Sequence, residues 1–175
     1  MKEIEVKFLE VDAAALQGKL RRLGGRKILD AMVETVMLDF PDNRLNRKNE
    51  TLRLRRAGSR IFITHKRLIS KKKFKVHHET ELDVSDWRAI RKVFHAVGLV
   101  DKMRTKKHRV SWKIDGVRVE IDTYPGIPTY AEFEGQKSAI AKVAKKLGFD
   151  MRHAKPWGGK EMWKHYRVGK YGFSD

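Results

Sequence analysis

The 175-residue chain is 41% apolar and carries 40 Lys and Arg residues against 22 Asp and Glu residues, a formal charge of +18. A chain of this length can bury one substantial core, so we expect a single domain over residues 1–175, and its charge predicts a polyanionic partner, whether nucleic acid, a membrane surface or a small phosphate compound. The lack of cysteine excludes disulfides, thiolate catalysis and cysteine-bound zinc, and the lack of both a ~20-residue apolar run and a secretory leader predicts a cytoplasmic protein.

The first predicted strand, near residues 2–9, alternates charged and apolar side chains. Successive side chains of a strand point to opposite faces, so Glu3, Glu5 and Lys7 share one face and the apolar residues between them share the other. The same alternation predicts seven further strands, near residues 33–40, 51–56, 60–66, 75–84, 106–113, 117–123 and 129–135.

Three amphipathic segments between these strands predict helices. They begin near Asp12, Ser85 and Ser138 and end at Gly24, Gly98 and Gly148. An Asp-Gly pair at 115–116, between two alternating runs, predicts a tight hairpin because both residues accept positive φ. Few helices and many strands indicate an α+β fold dominated by an antiparallel sheet, whose eight strands could close into a barrel.

Several predicted strands carry charges of a single sign on one face. These are the cationic pairs Arg53 with Arg55 and Lys107 with Arg109, and the acidic pairs Glu79 with Glu81 and Glu132 with Glu134. Like charges at adjacent positions of one face repel unless a counter-charge lies between them. A one-sided sheet facing water would tolerate such faces, whereas a closed barrel would place the cationic and acidic halves opposite each other. We favour the barrel, with a bound polyanion and its metal ions completing the charge balance.

The chemistry of these two sets of side chains is complementary. Carboxylate pairs at i, i+2 suit hard divalent cations such as Mg²⁺ or Mn²⁺, which take oxygen ligands. Arginine binds phosphate oxygens through two parallel hydrogen bonds, and lysine contributes a point charge. Together they predict a site for a metal-chelated phosphate chain. The adjacent His77 and His78 point to opposite sides of a strand, so a histidine-bound zinc is not predicted.

In their order along the chain, these motifs resemble the CYTH superfamily, the triphosphate tunnel metalloenzymes, which includes class IV adenylate cyclases, thiamine triphosphatases and inorganic triphosphatases. The resemblance rests on EIEVK at 3–7, LRLR at 52–55, a strand ending at Lys66, ETELDV at 79–84, Lys107 with Arg109, Asp122, and AEFEG at 131–135. It implies an eight-stranded antiparallel tunnel with helices packed outside.

The resemblance also implies roles for individual residues. Phosphate would be held by Lys7, Arg53, Arg55, Lys66, Lys107 and Arg109. Mg²⁺ or Mn²⁺ would be held by Glu3, Glu5, Asp122, Glu132 and Glu134. Glu79 and Glu81 would lie in the tunnel, near a second metal ion or orienting a basic side chain. Catalysis itself is expected to depend on Glu5, Lys66 and Glu134.

Three functions follow as expectations. The first is metal-dependent hydrolysis of a phosphoanhydride bond in tripolyphosphate, ATP or thiamine triphosphate. The alternative is a class IV adenylate cyclase, in which the ribose 3′-oxygen of ATP attacks the α-phosphorus and pyrophosphate leaves. Non-catalytic binding of RNA or polyphosphate is less favoured, because such a binder has no evident need for aligned acids and the stacking aromatics of common RNA modules are absent.

Three segments depart from the family pattern. His65 precedes Lys66, on a face predicted to point outward. A basic insertion over 66–78 replaces a shorter link, and this run, like the basic run at 102–109, could be a solvated loop. The tail at 155–175 carries two tryptophans and two tyrosines, and we expect it to pack as a lid or as the contact of a homodimer.

Overall fold

The computed structural model describes residues 1–168, which contain eight strands and five helices. The strands are β1 (Lys2–Phe8), β2 (Arg26–Asp39), β3 (Glu50–Ala57), β4 (Arg60–Lys71), β5 (Lys75–Asp83), β6 (Val100–Ile114), β7 (Val117–Thr123) and β8 (Tyr130–Glu134). The helices are α1 (Ala13–Arg22), α2 (Arg44–Arg47), α3 (Trp87–Ala96), α4 (Lys137–Leu147) and α5 (Gly159–His165). None of the described helices combines the length and the apolar character that crossing a membrane requires.

The eight strands form one closed barrel in the order β1-β5-β4-β3-β2-β6-β7-β8. Every neighbouring pair is antiparallel, and β8 returns to pair with β1, with Glu5 opposite Glu134 and Lys7 opposite Glu132. The predicted α+β class and closed eight-stranded barrel are therefore confirmed.

The apolar core lies outside the barrel wall, between the strands and the helices. Val6 and Phe8 of β1 belong to a buried cluster with side chains of α1 and α4, namely Leu16, Leu20, Ile140, Val143, Ala144 and Leu147. A second cluster joins Val36, Leu38 and Leu54 of the wall to Trp87, Ile90 and Phe94 of α3. Fully burying an aliphatic side chain contributes roughly 1.5–3 kcal/mol, so these outer contacts stabilise the fold. The inner face of the wall carries mainly polar and charged residues.

The predicted helix ends are largely confirmed. The Asp12 carboxylate accepts a hydrogen bond from the Ala15 amide at 3.0 Å, and Asp86 caps α3 in the same way. Gln136 occupies the N-cap position of α4 without a capping hydrogen bond from its side chain, so Ser138 lies inside the first turn. Glycines 24, 98 and 148 follow the helices with φ of 79°, 90° and 86°. The hairpin at 115–116 also has positive φ at both residues, 47° and 74°, as a two-residue turn of this kind requires.

Three strands extend well beyond their predicted limits. β2 begins at Arg26 and β6 at Val100, because the two pair with each other along nearly their whole lengths. The basic insertion is not a loop: residues 66–71 continue β4, residues 72–74 turn, and β5 begins at Lys75. A register shift between Leu68 and Ser70 interrupts the alternation and hid this extension. The basic run at 102–109 likewise lies within β6.

Candidate active site

The barrel encloses a cavity of about 310 Å³ lined mainly by polar and charged side chains. All six predicted phosphate-binding residues line it, namely Lys7, Arg53, Arg55, Lys66, Lys107 and Arg109. They come from strands β1, β3, β4 and β6, whose inward-facing positions alternate with the outward-facing apolar ones. The barrel therefore gathers onto one enclosed surface residues that lie up to a hundred positions apart in the chain.

Ammonium groups on one side of the cavity are bonded to carboxylates. Lys66 Nζ binds Glu3 and lies 2.5 Å from Glu79 Oε2. Lys7 Nζ binds Glu132 and lies 3.2 Å from Glu5 Oε1. Burial by itself would lower the pKa of Lys7, but the charges of Glu132 and Glu5 outweigh it and raise that pKa above its usual range. Lys7 therefore stays charged.

A second ionic network joins β6 to β7. The Arg109 guanidinium donates two hydrogen bonds of 2.6 Å to Asp122, and Lys107 Nζ donates a third of 2.6 Å. Glu120 also pairs with Arg109. Burial would raise the pKa of Asp122, but Arg109 and Lys107 hold it below its usual range. Burial together with the charge of Arg109 lowers the pKa of Lys107 to about 8.

Arg53 and Arg55 on β3 differ from the other cations of the cavity. Within residues 1–168 neither side chain forms an ion pair or a hydrogen bond, and the Nε atom of each is buried without a partner. The Arg55 guanidinium has only the Phe62 ring, with 5.9 Å between its Cζ and the ring centroid. Burial and the charges of Arg53 and Arg109 lower the pKa of Arg55 to about 10. Buried guanidinium groups are costly unless paired, so this wall is suited to an anion.

Two of the predicted acidic residues converge with a histidine. Ligand atoms of Glu3, Glu5 and His77 lie within 4.8 Å of one another, and all three residues are buried. This donor set fits a divalent cation. Asp122 and Glu132 lie outside this cluster and, like Glu3 and Glu5, are bonded to basic side chains.

The remaining predicted acids lie around this cluster. Glu134 lies opposite Glu5 across the β1–β8 pair, and its Oε2 is 3.9 Å from Arg118 Nη1. Burial raises the pKa of Glu134 to about 7. Glu79 is bonded to Lys66, as described above. Glu81 is bonded to Arg60 at 2.9 Å, so it lies apart from the converging carboxylates.

The CYTH domain family model matches residues 1–151, which contain all eight strands. This chain belongs to the CYTH family. A Methanocaldococcus jannaschii protein named as a "Putative adenylate cyclase" is 26% identical to this CYTH chain over 147 residues, with 84% of each chain covered.

Solved structures share the fold. The PH1012 protein from Pyrococcus horikoshii has a TM-score of 0.77 at 24% identity, over 91% of this CYTH chain and 98% of its own. The Hippeastrum protein HpAC1, described as a "Putative adenylyl cyclase" with a dominant triphosphatase activity, has a TM-score of 0.63 at 17% identity, over 96% of both chains. At these identities the two structures show a common fold.

The C-terminal segment of this CYTH chain adds α5 beyond the matched residues. Lys155 forms two backbone hydrogen bonds of 2.8 Å with Lys7, and residues 158–163 then line the cavity. Lys160 Nζ donates to Asn46 Oδ1 at 2.5 Å, and Glu161 is bound by Lys71, so α5 connects α2 with the end of β4. The predicted tail therefore reaches the site through residues 158–163. Its last part, residues 169–175, lies outside the described residues.

Sequence reasoning missed several cavity residues. Lys75 lies 3.1 Å from Glu5 Oε1, although the sequence, which places it both in the basic insertion and at the start of the strand near residues 75–84, gives it no role in the site. The alternation through His77, Glu79 and Glu81, continued two residues earlier, would have found it. Tyr124 and Tyr130 also line the cavity, with Tyr130 Oη 3.5 Å from Lys107 Nζ. The alternation through Glu132 and Glu134 already places Tyr130 on their face, and the alternation through Glu120 and Asp122, continued two residues further, reaches Tyr124.

Proposed function

We propose that this CYTH protein is a metal-dependent triphosphatase. It binds tripolyphosphate or an organic triphosphate in the barrel cavity and cleaves a phosphoanhydride bond. The observation that carries this proposal is the pair Arg53 and Arg55, two half-buried arginines that line the cavity and whose buried Nε atoms have no hydrogen-bond partner in the described chain. A phosphate chain supplies the oxygen atoms that such groups bind through paired hydrogen bonds.

Binding would exchange one set of ionic partners for another. The ammonium groups of Lys7, Lys66 and Lys107 now rest against carboxylates, and an entering phosphate chain offers them stronger acceptors. Arg109 keeps its bonds to Asp122 and presents its charge to the cavity. The carboxylates released in this exchange become free to bind a cation, so substrate and metal would bind together.

Phosphoryl transfer needs little covalent help from the protein, so positioning and charge neutralisation account for most of the rate. Glu3, Glu5, Glu132 and Glu134 would hold Mg²⁺ or Mn²⁺, which neutralises phosphate charge when bound, while Asp122 stays bonded to Arg109 through both of its oxygens. Lys66 would stabilise the charge that develops on the transferred phosphoryl group. Glu134 would accept a hydrogen bond from the attacking water and orient it.

A class IV adenylate cyclase is the second candidate, and the similarity to the M. jannaschii protein favours it. The cavity would hold the triphosphate of ATP in the same way. The nucleophile would then be the ribose 3′-oxygen, which attacks the α-phosphorus and expels pyrophosphate.

The test is to incubate the protein with tripolyphosphate, ATP or thiamine triphosphate, each with Mg²⁺ or Mn²⁺, and to quantify phosphate, pyrophosphate and cyclic AMP. We expect phosphate release from at least one substrate. Formation of cyclic AMP and pyrophosphate in equal amounts from ATP would reject the triphosphatase and support the adenylate cyclase. No turnover, combined with tripolyphosphate binding that weakens steeply with salt, would indicate a polyphosphate or RNA binder instead.

Arg55→Ala provides the matched variant, with Arg56→Ala as its control. Arg55 lines the cavity, whereas the neighbouring Arg56 is exposed on the outer face, with its guanidinium 4.9 Å from the Trp87 ring. We expect Arg55→Ala to lower kcat/KM by about 100-fold, the usual loss for one preorganised donor, and Arg56→Ala to leave it unchanged. Equal activity in both variants would show that Arg55 does not contribute to binding or cleaving the substrate.

A further inference from the structure

His77 is a buried histidine that faces the carboxylates of β1. It lies directly opposite Glu3 in the β1–β5 register and is 7% exposed, whereas the adjacent His78 points outward and is exposed. The Nδ1 atom of His77 is 3.2 Å from Glu3 Oε2 but forms no hydrogen bond within the described chain. The contact is too poorly aligned for a hydrogen bond and leaves this buried nitrogen incompletely satisfied, so its position beside two carboxylates needs an explanation.

Both carboxylates already have other donors. Lys66 Nζ contacts both oxygens of Glu3, and Glu5 Oε1 lies within 3.2 Å of the ammonium groups of Lys7 and Lys75. His77 is therefore not needed to balance their charge. Its nitrogen and one oxygen from each carboxylate nevertheless lie within 4.8 Å of one another, a spacing that a single cation can bridge.

We infer that His77 is a nitrogen ligand of the divalent cation held by Glu3 and Glu5, and that it shifts the preference of this site from Mg²⁺ toward transition metals. The inference rests on the proposed function in that both require a cation at these carboxylates. Mg²⁺ takes oxygen ligands almost exclusively, whereas imidazole suits Co²⁺, Ni²⁺ and Zn²⁺, with Mn²⁺ between them. The donor set of two carboxylates and one imidazole therefore discriminates among metals.

The lysines would act as competitors for this cation. The ammonium groups of Lys66, Lys7 and Lys75 occupy the oxygen atoms that a cation would take. Removing one of them should therefore strengthen cation binding in the absence of phosphate. Lys66→Gln is the appropriate change, because Lys66 contacts both oxygens of Glu3.

The experiment measures cation binding directly, without turnover. Isothermal titration of the full chain with Co²⁺ and with Mg²⁺ gives the two affinities, and pulsed EPR of the Mn²⁺-loaded protein reports a directly bonded nitrogen. We expect nitrogen coupling in the parent, and a loss of Co²⁺ affinity of at least about tenfold in His77→Ala, with Mg²⁺ affinity changed much less. His78→Ala, the control on the outer face, should change neither affinity. Lys66→Gln should bind Co²⁺ more tightly than the parent.

Several results would overturn the inference: nitrogen coupling that persists in His77→Ala, an equal loss of Co²⁺ and Mg²⁺ affinity, or no Co²⁺ binding by the parent. Two controls distinguish the loss of a metal ligand from misfolding. His77→Gln keeps a polar side chain at this position, and thermal melts show whether each variant is folded. The outcome is distinct from that of the proposed function. Co²⁺ binding that depends on His77, without triphosphate turnover, would support His77 as a metal ligand and reject the triphosphatase. Mg²⁺-dependent turnover without nitrogen coupling would support the triphosphatase and reject His77 as a ligand.

Discussion

Replacing Glu134 by glutamine is expected to make the protein more stable near pH 8 and to leave its stability near pH 4 unchanged. Burial, reinforced by the charges of Glu3, Glu120 and Glu132, raises the pKa of Glu134 to about 7, and Arg118 opposes this only in part. The ordinary value is 4.5. Between these two values the folded protein holds a proton that the unfolded chain releases. The stability that this proton contributes is therefore fully present below pH 4.5, the unfolded pKa, and is lost as the pH rises through about 7, the folded pKa.

The magnitude follows from the two pKa values. A difference of one between the folded and unfolded pKa values corresponds to about 1.4 kcal/mol of unfolding free energy. Ionised Glu134 therefore destabilises the metal-free fold by roughly 3 kcal/mol above pH 7. The side chain is 21% exposed, which is consistent with incomplete solvation of its charge. Glutamine has nearly the same volume and no charge, so the variant escapes this penalty. Below about pH 4 both side chains are neutral and the difference disappears.

The assay is urea denaturation of parent and Glu134→Gln at several pH values between 4 and 8, in the presence of a chelator. Glu34→Gln on the outer side of β2, with a side chain 36% exposed, is the control and should change the stability at pH 8 by less than about 1 kcal/mol. A Glu134→Gln advantage that is the same at every pH would refute the reasoning, as would a parent that is the more stable protein at pH 8. Either result would mean that Glu134 does not titrate from a buried position.

Two further predictions concern the β6–β7 network. Asp122→Asn leaves Lys107 and Arg109 without their shared carboxylate, so urea denaturation should show a loss of about 3–5 kcal/mol of unfolding free energy. Asp115→Asn is the control. It breaks an exposed pair with Lys146 and should cost less than about 1 kcal/mol. A similar cost in both variants would contradict the buried network. Tripolyphosphate binding near pH 8.5 should take up protons, because the pKa of Lys107 is about 8 in the free protein and a bound polyanion raises it. The affinity for tripolyphosphate should therefore fall as the pH rises through 8. Titration calorimetry in two buffers of different ionisation enthalpy should report this proton uptake, and Lys107→Met should abolish it. Identical binding heats of the parent in the two buffers would contradict the prediction.

The local pattern of the sequence determined which residues share a face. Alternation places Glu3, Glu5 and Lys7 on one side of β1, and Arg53 with Arg55 on one side of β3, because a strand has only two faces. Local chemistry also determined the helix ends at glycine and the turn at 115–116, since positive φ is a property of one or two residues. These signals need no information from distant parts of the chain, and they were sufficient for the α+β class and for eight strands.

The tertiary structure decided which charges meet. Lys66 binds Glu3 across 63 positions of the chain, and Lys7 binds Glu132 across 125, and these pairings depend on the register of strands that no local pattern specifies. Asp122 was grouped with the metal-binding acids from sequence, yet it lies bonded to Arg109, because the β6–β7 register places the two directly opposite each other. His77 faces Glu3 for the same reason. Alternation assigns a side chain to a face, but only closure of the barrel turns that face inward and chooses its partners.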